Sequence, residues 1–138
     1  MSVRKIDRNE STVEFIRVAR ELEKFTLQQI IKEGKERQIP KSYRLIYGDR
    51  IMEHASMVNE FVIRGNDIFP REDTIEERLR FFHMAIEELN LLEEKITIVS
   101  EVLPLKNSSI ETWVKLITEE RRLLKNRIAR DRKRQVEH

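Results

Sequence analysis

A chain of 138 residues suffices for one domain with a single core, and 38% charged residues is far above the usual ~25%. Three glycines and three prolines are too few turn residues for a β-sandwich or barrel, and the lack of cysteine excludes disulfides, thiolate metal sites and cysteine nucleophiles. The net charge is only +2, but residues 71–101 carry −5 and residues 102–138 carry +5, so the C-terminal segment is suited to a polyanion or to an acidic protein face.

The predicted elements are four amphipathic helices. The first spans about 11 to 36, opens on a capping box at Ser11–Glu14, and aligns Phe15, Val18, Leu22 and Phe25 on one face. Gly34 marks its end. The second spans about 40 to 65, with Pro40 in its first turn, Tyr47, Ile51, Ala55, Val58 and Val62 along one face, and Gly65-Asn66 as its stop. The third, about 73 to 102, is the most regular: Ile75, Leu79, Phe82, Ile86, Leu89, Leu92, Ile96 and Val99 step by three or four, after cap candidates Asp73 and Thr74.

The fourth spans about 109 to 134 behind a capping box at Ser108–Glu111. One stripe reads Ile110, Val114, Ile117, Leu124 and Ile128, interrupted by Arg121; Trp113, Leu116 and Leu123 form a second. Four such helices with short connections make an all-α, up-down-up-down four-helix bundle as a single domain over 1–138. Residues 1–10 and the basic end 129–138 are expected to be flexible.

No Gly-rich phosphate loop is present. The histidines are His54, His83 and His138, and the residues three before them are Ile51, Arg80 and Gln135, so the Glu-x-x-His pairs of a di-metal bundle are missing. Glu87-Glu88 and Glu93-Glu94 read as a solvated face and His83 with Glu87 as a surface pair. The serines carry no signature of an activated nucleophile. The expectation is a protein that is not an enzyme, with no metal and no cofactor. No run reaches the ~18 apolar residues of a membrane span, and the start, Met-Ser-Val-Arg-Lys-Ile-Asp-Arg, lacks a signal peptide's apolar stretch, so a cytoplasmic protein is expected.

The basic run near the C-terminus is the main candidate contact surface. It comprises Arg121, Arg122, Lys125, Arg127, Arg130, Arg132, Lys133 and Arg134, more cations than the helix macrodipole accounts for. They wrap the helix end, which suits phosphate contact without base reading. Trp113 reads as core or subunit interface. Residues 38–50, Gln-Ile-Pro-Lys-Ser-Tyr-Arg-Leu-Ile-Tyr-Gly-Asp-Arg, add Lys41, Arg44 and Arg50 as a second patch. The residues alone leave two roles open there: Asp49 pairing with a nearby cation to fix the loop, or direct contact with nucleic acid or a partner. Gly48, unfavourable inside a helix by about 1 kcal/mol, is expected to face a closely packed neighbour.

That stretch resembles the signature of the Avd-like four-helix-bundle family, the accessory variability determinants of diversity-generating retroelements. The matching residues are Pro40, Lys41, Ser42, Tyr43, Arg44, Gly48, Asp49 and Arg50. The resemblance implies a non-catalytic bundle that assembles as a pentameric ring, binds the element's reverse transcriptase and template RNA or cDNA, and supports mutagenic copying. It makes Pro40, Tyr43, Gly48 and Asp49 motif residues. The alternative is a self-associating helical adaptor with no nucleic-acid role.

Overall fold

The computed structural model describes the backbone of residues 3–137 and the side chains of residues 14–135. The elements are α1 (Val3–Ile31), a 3-10 turn (Gly34–Glu36), the single turn α2 (Lys41–Tyr43), a π-helical turn (Arg44–Gly48), α3 (Asp49–Asp67), α4 (Ile75–Val102) and α5 (Asn107–Glu137). The described residues contain no strand. The four long helices form an all-helical fold of the bundle kind.

The boundaries differ from the sequence expectations for local reasons. α1 begins at Val3 and runs through the box expected to start it, whose Ser11 side chain lies outside the described residues. It stops at Ile31, short of the expected 36, and Gly34 follows in the left-handed region at φ 63°, where glycine is least strained. Thr74 precedes α4 but makes no side-chain cap. Its hydroxyl donates to the Phe69 carbonyl at 2.6 Å and accepts from the Arg71 N–H at 3.0 Å, so it braces the loop instead. α5 continues to Glu137, beyond the expected end near 134, and the Asp131 carboxylate in its last turns is fully buried.

The expected apolar faces supply most of the core. Phe15, Val18 and Leu22 of α1, Ile51, Ala55, Val58 and Val62 of α3, and Ile75, Leu79, Phe82, Leu89, Leu92, Ile96 and Val99 of α4 are buried. In α5 the buried line is Trp113, Ile117, Glu120, Leu124, Arg127, Ile128 and Asp131. Val114, expected in the core, is exposed, and the polar residues that interrupt the inner face are Glu120, Arg127 and Asp131, not Arg121.

Specific pairs tie the helices together. Asn59 Nδ2 donates to Glu23 (2.9 Å) and the Trp113 indole N–H donates to Thr26 Oγ1 (2.9 Å). His54 Nδ1 lies 2.6 Å from Glu88, and Arg121 bonds to Asn90 (3.1 Å) and Glu93 (2.7 Å). Phe15 meets Phe82 edge-on at 5.5 Å, and Phe25 meets Trp113 likewise at 5.6 Å. Glu88 and Glu93, expected on a solvated face, therefore each hold a neighbouring helix.

The two buried glycines differ. A Cβ on Gly48 would sit 3.5 Å from Ile30 Cγ2, ordinary contact that leaves room for a methyl group, so the close approach expected there is looser than a glycine requires. Gly65, expected to end the second helix, lies inside α3. There a Cβ would come 2.5 Å from Phe82 Cε1, closer than carbon atoms approach. Among the described residues no helix is long and apolar enough to cross a membrane.

Candidate nucleic-acid interface

The basic end of α5 divides into engaged and free cations. Along the inner face, Asp131 is fully buried and accepts from two guanidiniums. Its Oδ2 takes Arg78 Nε at 2.8 Å, and its Oδ1 takes Arg127 Nη2 at 2.7 Å and Nε at 3.2 Å. Arg78 also donates to the carbonyls of Gly65 (3.2 Å) and Ile68 (2.8 Å), which caps the end of α3, and its guanidinium lies over Phe82 at 5.0 Å. Gln135 reaches the Pro70 carbonyl at 3.5 Å. These bonds fasten the end of α5 to the turn between α3 and α4.

Among the sequence candidates, Arg127 is thus buried and committed on one side to Asp131. Arg121 is held by Asn90 and Glu93, and Arg122 is exposed but paired with Glu119 at 2.5 Å. The Arg122 hydrogen bond holds the Glu119 carboxyl below its ordinary value. Lys125, Arg130, Arg132, Lys133 and Arg134 are exposed. Among the described residues only Arg132 has a carboxylate within 4.0 Å, Glu76 at 3.8 Å.

At the far end of the fold lies the second candidate patch. The Asp49 N–H bonds to the Arg44 carbonyl five residues back, the π-helical pattern. This turn directs Arg44 onto the end of α1, where Nη1 donates to Glu33 (2.9 Å) and Nη2 to the Lys32 carbonyl (2.5 Å). The Glu33 carboxyl is held below its ordinary value by Arg37 first and by Arg44 second. The cation that fixes the motif is therefore Arg44 on Glu33. Asp49 is exposed and has no ion pair among the described residues. Lys41 and Arg50 are exposed beside it, as are Tyr43, Leu45 (81%) and Ile46 (60%). Tyr43 and Tyr47 close a small apolar cleft with Ile98, Val99, Val102 and Leu103. Pro40 precedes α2, with extended backbone at ψ 146°.

Sequence reasoning missed the buried charges. Arg78 stands three residues after Ile75 and four before Phe82, and Asp131 stands seven after Leu124, so spacing alone places both on inner faces. Glu120 is the most perturbed group: it is fully buried, neither oxygen has a partner, and burial pushes its carboxyl up to about 9, with Glu119 and Glu14 adding to the shift. No group of three or more metal-ligating side chains occurs among the described residues. No family model, no curated protein and no solved structure matches the chain.

Proposed function

We propose that this protein is a non-catalytic, nucleic-acid-binding helical bundle of the Avd-like kind, an accessory factor that joins a reverse transcriptase to template RNA or cDNA in the cytoplasm. The observation that carries the reading is the end of α5. Lys125, Arg130, Arg132, Lys133 and Arg134 are all exposed there on a helix whose end is fastened to the fold. Among the described residues all of these but Arg132 lack a carboxylate within 4.0 Å, and such exposed cations keep their full charge for phosphates and release counterions on binding. The motif at Pro40–Arg50 supports the family part of the reading. It forms a distinct π-helical turn locked to α1 by Arg44, with Lys41 and Arg50 left free.

The proposed topology is up-down-up-down. Pairs such as Arg78 with Asp131 and Asn90 with Arg121 run in opposite senses along α4 and α5, as do His54 with Glu88 and Phe61 with Phe81 along α3 and α4. Self-association, in a pentameric ring by the resemblance, would use apolar surface the fold leaves open, such as Leu45, Ile46 and the cleft beside Tyr43. The same surface favours the second reading, a self-associating adaptor with no nucleic-acid role.

The test is RNA binding measured from about 50 to 200 mM salt. A template-like single strand should bind wild type with a steep salt dependence. Lys125→Glu with Arg132→Glu should weaken affinity and lower the slope by roughly 0.7 for each phosphate left without its cation. Salt-independent or absent binding sinks the nucleic-acid role and leaves the adaptor.

A further inference from the structure

The buried ion cluster at the end of α5 does not balance. Arg78 and Arg127 are two guanidiniums on one carboxylate, Asp131, all three buried. Among the described residues the cluster therefore holds one excess positive charge, and an uncompensated buried charge is costly unless an anion approaches it. Arg127 shows where an anion can come from. Its Nε and Nη2 face Asp131, while its Nη1 has no partner among the described residues.

Arg127 also lines a groove of about 250 Å³ between α1 and α5, with Glu14, Phe15, Arg122, Leu123, Asn126 and Arg130. Positions 123, 126, 127 and 130 share one helix face, so the groove follows from α5's own periodicity. Its floor is the buried Phe15 and the half-buried Leu123. Its one carboxylate among the described residues is Glu14, paired with Arg17 at 2.5 Å and held below its ordinary value by that hydrogen bond. Arg122 shares its charge with Glu119, and Arg130 is free among the described residues.

We propose that this α1–α5 groove seats one backbone phosphate of the bound nucleic acid, with Arg127 at its base and Arg122 and Arg130 closing from the rim. The inference rests on the nucleic-acid reading above and adds a defined seat to a diffuse charged surface. A guanidinium whose far edge is pinned by Asp131 is pre-oriented, so its open edge meets a phosphate oxygen at small entropic cost. Lys133 and Arg134 have no such support and act only through their charge.

Two probes test it on the full chain: inorganic phosphate, followed through the arginine side-chain NMR signals, and a single-stranded RNA oligonucleotide, followed by fluorescence anisotropy. Two variants of equal charge change are compared, Arg122→Gln with Arg130→Gln, and Lys133→Gln with Arg134→Gln. All four positions are exposed, so both variants keep the wild-type fold, which circular dichroism checks. Phosphate should shift the Arg127 Nε–H signal saturably, and the groove pair should lose about tenfold in RNA affinity against no more than about threefold for the terminal pair. Equal losses in the two pairs, or a phosphate titration that leaves Arg127 unmoved, overturn the seat while the nucleic-acid reading stands. Wild-type protein that fails to bind RNA overturns that reading and this one with it.

Discussion

Gly65→Ala is the sharpest test of how α3 and α4 are packed. The added methyl would lie 2.5 Å from Phe82 Cε1 and 2.8 Å from Cδ1. Phe82 cannot swing clear, because its ring is fully buried, packed edge-on by Phe15 at 5.5 Å and covered by the Arg78 guanidinium at 5.0 Å. If α3 moved away instead, it would stretch the bond from Arg78 to the Gly65 carbonyl. Overpacking of this kind costs about 1–3 kcal/mol. The helix propensity gained over glycine is below its full ~1 kcal/mol, because Gly65 sits in the last turn of α3. The expected net loss is about 1–2 kcal/mol, a fall in Tm of roughly 3–8 °C for a chain of this size. Gly48→Ala is the control: its methyl meets Ile30 at an ordinary 3.5 Å, so stability should hold or rise by up to ~1 kcal/mol. Calorimetry on both variants reads the difference, and Phe82→Leu in the Gly65→Ala background should recover part of the loss as a favourable coupling energy above ~0.5 kcal/mol. A Gly65→Ala protein melting at or above wild type would refute the close approach.

Glu120 makes stability depend on pH in a definite direction. Its folded pKa of about 9 lies above the ordinary carboxylate value, so the folded state holds the extra proton, and stability falls as pH rises from about 4 towards 9, by about 3 kcal/mol at pH 7. Glu120→Leu should therefore stabilise the protein more at pH 8 than at pH 5 in urea titrations, and an equal gain at both would mean the carboxyl is solvated. Asp131→Asn should cost about 3 kcal/mol or more, because the amide turns a donor towards one of two buried guanidiniums. A loss under about 1 kcal/mol in urea unfolding would show that the cluster does not hold the end of α5.

The helices were legible because apolar spacing reports them directly. In the third predicted helix every stripe residue except Ile86 is buried, and its start lies within two residues of the expected one. The candidate site was less legible because charge alone does not tell a solvated cation from a buried one. Arg122 and Arg127 look alike in a basic run, yet Arg127 falls on the inner face of α5 and finds Asp131 four residues on. Arg44 looks like a surface cation beside Asp49, yet the π-helical turn carries it to α1. What buries Asp131 is its bond to Arg78, 53 residues away, and Arg44 reaches Glu33 across the turn between two elements, which periodicity within one helix does not register.

The buried polar residues of α5 also set where its free cations stand. A stripe of Leu at positions 120, 127 and 131 would be as well packed but would tolerate sliding along α4, since apolar contacts are not directional. With Asp131 between Arg78 and Arg127, a slide of α5 by one turn, about 5.4 Å, would carry Asp131 away with Arg127 and leave the buried Arg78 without its carboxylate. The same slide would carry Arg122 and Arg130 off the groove floored by Phe15. The register that satisfies the core therefore also places the rim arginines, so core stability and the geometry of the basic face rest on one set of bonds.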